Sequence, residues 1–162
     1  TNEEIIVAEN LKKKALKEKA DMENANKLLK KEQELQNKIK IQSIKDDLIK
    51  NITNQNDINN FIGELDLDPK SIKELCFMLS DKFENLFLIL ISKSEEKVFI
   101  SCFISKNLIE EKELNASRII RELSPLINGS GGGQPFFATG GGTNKNGIDQ
   151  VILESKKIIT QL

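Results

Sequence analysis

Two hydrophobic periods follow one another along this 162-residue chain. From about Asn2 to Lys50 the apolar positions recur at helical spacing. Ala8, Ala15, Met22 and Leu29 lie seven apart, with Leu11, Ala25 and Ile39 at intervening positions, which marks one face of a helix and comes close to a heptad. A second stripe, Ile41, Ile44, Leu48 and Ile52, continues at steps of three and four. The stretch holds neither Pro nor Gly and is dense in Lys, Glu, Leu and Ala, all strong helix formers. Glu18 and Glu32 interrupt the seam, so an imperfect coiled coil is predicted, with a turn or register change admissible near 21–26 or 36–41. Unbroken, such a helix would be on the order of 70 Å long. Its stripe then has to pack on a second helix, on the rest of the chain or on another copy.

Beyond residue 50 the period shortens. Residues 51–59 are polar and Asn-rich and read as a linker. Asn60–Leu65 alternates as a strand does, and Asp68 followed by Pro69 is the start signal of a helix, with Pro at its first position. That helix, Lys70–Phe83, is expected to bury Ile72, Leu75, Cys76 and Leu79. Leu86–Ile91 and Val98–Ile104 are continuous apolar runs across a turn at Lys93–Lys97. Such runs suit strands covered by helices. Ala116–Ile127 reads as an amphipathic helix stopped at Asn128-Gly129, and Ile148–Ile159 as a closing helix. The fold class is α/β (α+β): a helical, coiled-coil-like segment over residues 1–55, then a compact mixed sheet with flanking helices over 56–162. About 100 residues suffice for one hydrophobic core.

Composition removes several kinds of chemistry. The chain has no His, hence no Ser-His or Cys-His nucleophile pair and no imidazole base. With two cysteines, Cys76 and Cys102, no CxxC pair and no His, the usual four zinc ligands cannot be assembled. Both cysteines sit in apolar runs and are expected to be buried free thiols. Glu95-Glu96 and Glu110-Glu111 lie in charged, turn-like sequence and read as solvated surface rather than an acid/base dyad. No stretch reaches the ~20 apolar residues of a membrane span, and no signal peptide is recognisable. The first residue, Thr1, stands inside the predicted helix, which is expected of a fragment. Charge is unevenly spread: residues 11–50 carry twelve Lys against seven acids, 51–114 seven Lys against twelve acids, and 115–162 are net +2. The basic front section is either a solvated face or a track for a phosphate backbone.

One segment stands apart. Asn128-Gly-Ser-Gly-Gly-Gly-Gln-Pro-Phe-Phe-Ala-Thr-Gly-Gly-Gly-Thr143 holds seven of the nine glycines. Glycine allows successive N–H groups to point one way and a ligand to approach the backbone. Pro135-Phe136-Phe137 interrupts the run with two large apolar groups that favour burial, which predicts a structured loop instead of a flexible linker. No Gly-Lys-Ser/Thr follows, so it is not a P-loop.

Helix Asn115–Leu126 followed by Asn128-Gly-Ser-Gly-Gly-Gly-Gln-Pro-Phe-Phe-Ala-Thr-Gly-Gly-Gly142 resembles the C-terminal domain of alanyl-tRNA synthetase. The same module, the DHH-associated domain, also occurs in phosphoesterases acting on short RNA or DNA. The resemblance follows the order of elements through the whole chain, but only residues 115–142 are specific. It implies a helical subdomain for dimerisation or spacing, here a homodimer through residues 1–50. It also implies a non-catalytic globular subdomain that touches the elbow of tRNA(Ala) and aids aminoacylation and editing. The parent enzyme would be a cytoplasmic alanine–tRNA ligase, with ATP, Mg and Zn used only in its other domains and no cofactor here. The residues that match the motif are Gly129, Gly131, Gly132, Gly133, Gly140 and Gly141. Gln134 stands where Arg is common in the family and Ser130 where Gly is, which weakens the loop's own grip on phosphate. Arg118 and Arg121, the only arginines, are candidate replacements, or else they pair with Glu122 or Glu113. Lys106 completes the candidate RNA-binding set. Phosphoesterase relatives often carry a His directly after the Gly run, where this chain has Gln134. Two alternatives stay open: the substrate-binding half of such a phosphoesterase, or a purely structural self-association module.

Overall fold

The computed structural model describes residues 1–162. It divides into two compact units, Thr1–Gln42 and Ser43–Leu162. Helix α1 (Asn2–Asn51) runs without interruption, so neither of the admissible breaks is used. In the first unit residues 1–40 are exposed along their whole length. Leu11, Met22 and Leu29, the large residues of the heptad seam, keep 62%, 68% and 56% of their surface in solvent.

The second unit contains a six-stranded sheet in the order β1-β2-β3-β4-β6-β5. Its strands are β1 (Thr53–Gln55), β2 (Ile58–Glu64), β3 (Leu86–Lys93), β4 (Val98–Ile104), β5 (Ser130–Gly133) and β6 (Phe137–Gly142). Only β2 and β3 are parallel, because helix α2 (Pro69–Ser80) carries the chain from one to the other. That is the crossover a parallel pair requires. Asp68 and Pro69 open this helix as expected, although the Asp68 side chain makes no capping bond. Helices α3 (Lys106–Lys112), α4 (Ala116–Leu123) and α5 (Ile148–Thr160) complete the unit.

The core lies on both sides of β3 and β4. Phe87, Ile89 and Ile91 alternate with Leu88 and Leu90 along β3, and every one of them is buried. A strand's side chains point alternately to its two faces, so both faces must be covered. One is covered by α4 and α5, which bring Ile119, Ile120, Leu123, Val151 and Ile159 against Phe87, Ile89, Ile100 and Cys102. The other lies under α2, where Ile72, Leu75, Cys76 and Leu79 are fully buried. Cys76 and Cys102 are free thiols. Burial pushes the Cys76 thiol up to about 12 and holds Cys102 well above its usual range, with the neighbouring Cys76 adding to it.

Four sequence expectations need correction. The Asn-rich stretch 51–59 is not a linker. Asn51 ends α1 and the rest forms the β1–β2 hairpin, turning at Asn56 and Asp57 with φ of 55° and 63°. Asn and Asp tolerate that left-handed pair, and its twist matches the strands. Glu110 and Glu111 are exposed as expected, but on α3, a helix too short for any periodicity to announce. The helix expected over Ala116–Ile127 is α only to Leu123 and continues as a 3-10 turn, Ser124–Ile127. Pro125 has no N–H to donate four residues back. The last correction concerns the glycine segment.

Candidate nucleic-acid interface

The glycine segment is a β-hairpin rather than a loop. β5 pairs with β6 from Ser130↔Gly141 to Gly133↔Ala138, and β6 joins the sheet beside β4. Two of the glycines, Gly131 and Gly140, make room for α4 and the 3-10 turn that follows it. A Cβ added to Gly140 would run into Ser124 Oγ, and one on Gly131 would come within 2.9 Å of Ile120 Cγ2 besides striking the β6 backbone. Ile120 and Ser124 occupy the space that side chains on the two strands would need. Gly129 likewise lies against the backbone of Gly141 and Gly142. Gly132 and Gly141 are different. An added Cβ would meet nothing nearer than Ser117 Oγ at 3.6 Å and Phe99 Cδ1 at 3.5 Å respectively.

The turn of the hairpin is equally committed. The Gln134 amide donates to Phe137 O at 2.8 Å, and the Gly129 amide to Ser124 O at 3.0 Å. The Gly133 amide donates to Ser117 Oγ at 3.3 Å. Pro135 O accepts from the Ala116 amide at 2.8 Å and Phe136 O from the Ile104 amide at 2.9 Å. A phosphate cradle needs convergent free N–H groups, and these amides are already spent inside the protein. What the turn does present is its side chains: Gln134 and Phe136 are exposed, while Phe137 is buried.

The remaining candidate residues fall on two sides of the hairpin. Arg118 and Arg121 are on α4, whose first turn is capped by Asn115 Oδ1 accepting from the Arg118 amide at 3.2 Å. Arg118 Nε lies 3.3 Å from Glu122 Oε1 in an exposed pair, which such exposure makes weak. The Arg121 side chain lies over Gly132, whose added Cβ would be 3.8 Å from Arg121 Nε. This lays the guanidinium of Arg121 against the β5 backbone, with room there for no more than a methyl group. Lys106 begins α3 and lines a cleft of about 540 Å³ with Phe77, Phe103 and Phe136. Phe103 and Ile100 stand three apart on β4 and so face opposite ways. Ile100 points to the α4 core, whereas Phe103 meets Phe77 of α2 with ring centroids 6.0 Å apart. Lys106 therefore belongs to the α2 side and the arginines to the α4 side. Phe77 is the residue that sequence reasoning passed over. The exposed positions of the α2 helical wheel, where a large aromatic is out of place, were the available signal.

No cluster of His, Cys, Asp and Glu in the structure could hold a metal ion. No helix is long and apolar enough to cross a membrane.

A six-stranded mixed sheet with a glycine hairpin laid on one helix defines a class. Residues 38–161 match the DHHA1 domain, and the chain belongs to that family. Its relatives there are alanine–tRNA ligases. The enzyme of Christiangramia forsetii is 39% identical over 137 residues, covering 85% of this chain and 16% of that protein. The enzyme of Cytophaga hutchinsonii is 44% identical over 104 residues, covering 64% of this chain and 12% of that one. The match thus spans only about an eighth to a sixth of the length of these relatives. Among solved structures, the C-Ala domain of Aquifex aeolicus alanyl-tRNA synthetase superposes with a TM-score of 0.60 at 24% identity, over 67% of this chain and 96% of that one. It shares the fold.

Proposed function

We propose that this chain is the non-catalytic C-terminal segment of a cytoplasmic alanine–tRNA ligase and that it holds tRNA(Ala) at the elbow for the aminoacylation and editing sites of the parent. ATP, Mg and Zn then belong to the other domains of that enzyme. The observation that carries the reading is Arg121, which is exposed, is in none of the chain's ion pairs and lies along the β5 backbone at Gly132, in a domain whose relatives act on tRNA. Its planar fork suits phosphate, and Arg118 follows one helical turn away. Because the amides of Gly129, Gly133 and Gln134 are spent, the turn offers no convergent cradle and the grip falls to side chains. Binding is then weak, salt-dependent and directed at the backbone and shape of the RNA. A filter-binding titration at low salt tests this: a preference for tRNA over duplex DNA is expected, and equal binding of the two would defeat the reading. The phosphoesterase alternative is disfavoured by Gln134, which occupies the place of the His that such relatives often carry.

A second role rests on a separate observation. The exposed seam of Leu11, Met22 and Leu29 has the spacing of a coiled-coil face, and we assign residues 1–50 to homodimerisation. Light scattering checks it. A monomeric mass at tens of micromolar would refute it.

A further inference from the structure

The cleft beside Lys106 is built from more than one lysine. Five of the chain's eight phenylalanines gather there: Phe77, Phe83, Phe103 and Phe136 in the lining, with Phe137 beside Phe77. Phe77 meets Phe103, Phe136 and Phe137 with ring centroids 6.0, 6.4 and 6.3 Å away. Phe103 and Phe137 are buried beneath, whereas Phe77 and Phe136 each leave 41% of their surface in water. Two neighbouring exposed phenylalanines are unfavourable for a domain with nothing to place on them. The backbone under Phe136 is tied down, its carbonyl accepting from the Ile104 amide at 2.9 Å.

The lining of this cleft pairs one lysine, Lys106, with one carboxylate, Glu84, and a second lysine stands behind it. Residues 51–114 are net −5, yet two of the lysines in that acidic stretch stand here. Lys106 lines the cleft, and Lys73 Nζ sits 5.6 Å from the Phe137 ring centroid. Lys73 lies outside the lining itself. Asn107, also in the lining, offers a carboxamide with both donors and an acceptor.

We propose that this cleft seats a single unstacked nucleobase of a structured RNA, laid across Phe77 and Phe136, with Lys106 on the adjoining phosphate and Asn107 at the base edge. A base has the π-face that fits exposed rings and the polar edge that fits the amide, and its phosphate suits the ammonium of Lys106. An aliphatic side chain in the same place would satisfy the rings alone. Single-stranded and splayed bases are held in this manner in general, by aromatic stacking beside a cationic groove. The proposal rests on RNA being the partner. It adds a second contact on the α2 side, separate from the arginines on the α4 side.

The chain has no Trp and no Tyr, so Phe136→Trp introduces a single indole reporter. Titration with tRNA is expected to quench its emission with the midpoint found by filter binding, while a blunt, fully paired RNA duplex leaves it unchanged. Phe77→Leu and Phe136→Leu keep apolar volume and remove the ring. Each is expected to weaken tRNA binding about tenfold, in line with the loss of one stacked base, with the chain still folded and melting cooperatively by circular dichroism at the binding temperature. Unchanged emission together with wild-type affinity in both Leu variants would overturn the cleft and leave the RNA reading standing. Absence of tRNA binding by the wild-type chain would overturn both. Emission that changes with protein concentration alone would show that a second copy fills the cleft, which also overturns the proposal.

Discussion

The front of α1 and the β5–β6 hairpin are opposites in how they use side chains. Residues 1–40 carry large apolar groups that nothing in the structure covers. Residues 130–133 and 140–142 carry almost no side chains, and α4 lies directly on their backbone. An apolar stripe is a request for a partner, and it stabilises nothing until the partner arrives. Absent side chains are what let a helix approach a sheet closely enough for Ile120 and Ser124 to fill the gap. Gly129, Gly131 and Gly140 of the motif thus act first as packing residues, and within it the side chains free to meet another molecule are those of the turn, Gln134 and Phe136.

That contrast can be attacked at several points. Replacing Gly140 or Gly129 with Val should break the packed region, costing about 3 kcal/mol or more because rigid backbone or a buried side chain blocks the new atoms. Gly132→Ala, where a methyl group has room, should stay within roughly 0.5 kcal/mol. Urea denaturation of the three variants reads the difference, and equal losses would remove the distinction between closed and open glycines.

The buried thiols give the packed unit a pH dependence. Cys76 is raised from 9.0 to about 12, so below pH 9 it is protonated whether the chain is folded or not and contributes no slope. Between pH 9 and 12 the unfolded chain loses that proton and the folded chain keeps it, so stability falls as pH rises. The expected slope is about 1.4 kcal/mol per pH unit for each such thiol. Urea midpoints over this range should fall less steeply in Cys76→Ala than in the wild type. A parallel pair of curves would contradict the assignment.

On the uncovered side, Leu11→Glu and Met22→Glu should leave the unfolding midpoint of the second unit in place, within roughly 0.5 kcal/mol, while abolishing any dimer seen by light scattering. The smallest stability effects belong to the exposed arginines. Arg121→Ala should not alter folding, but it should lower the salt slope of tRNA binding by about one. Glu122→Ala, which only frees Arg118 from an exposed pair, should change stability by less than about 0.5 kcal/mol.

What could be read from the sequence follows how many residues shared each signal. The long helix, the α2 start at Asp68-Pro69 and the apolar runs of β3 and β4 were legible because a pattern repeated over many positions. The β1–β2 hairpin was missed although its turn residues, Asn56 and Asp57, were visible, since a polar stretch hides a three-residue strand. α3 was missed because one buried residue, Leu108, makes no period. For the glycine segment, composition showed that something approaches the backbone closely but not what. The close approach is by α4 of the same chain, a long-range fact that no local pattern carries. The same limit separated Lys106 from Arg118 and Arg121, near in sequence and turned to different sides of the sheet.

The sheet ends at β1 and β5, three and four residues long, its shortest strands. At about 3.4 Å per residue, each border offers only some 10–14 Å of backbone to an intruding strand. Arg121 stands over part of one border. Edge-to-edge stacking, the usual route from a concentrated β-sheet to a fibril, finds little to grip there. The glycines that make β5 so slight, and that would make a longer edge hazardous, are rendered harmless by how soon the strand stops.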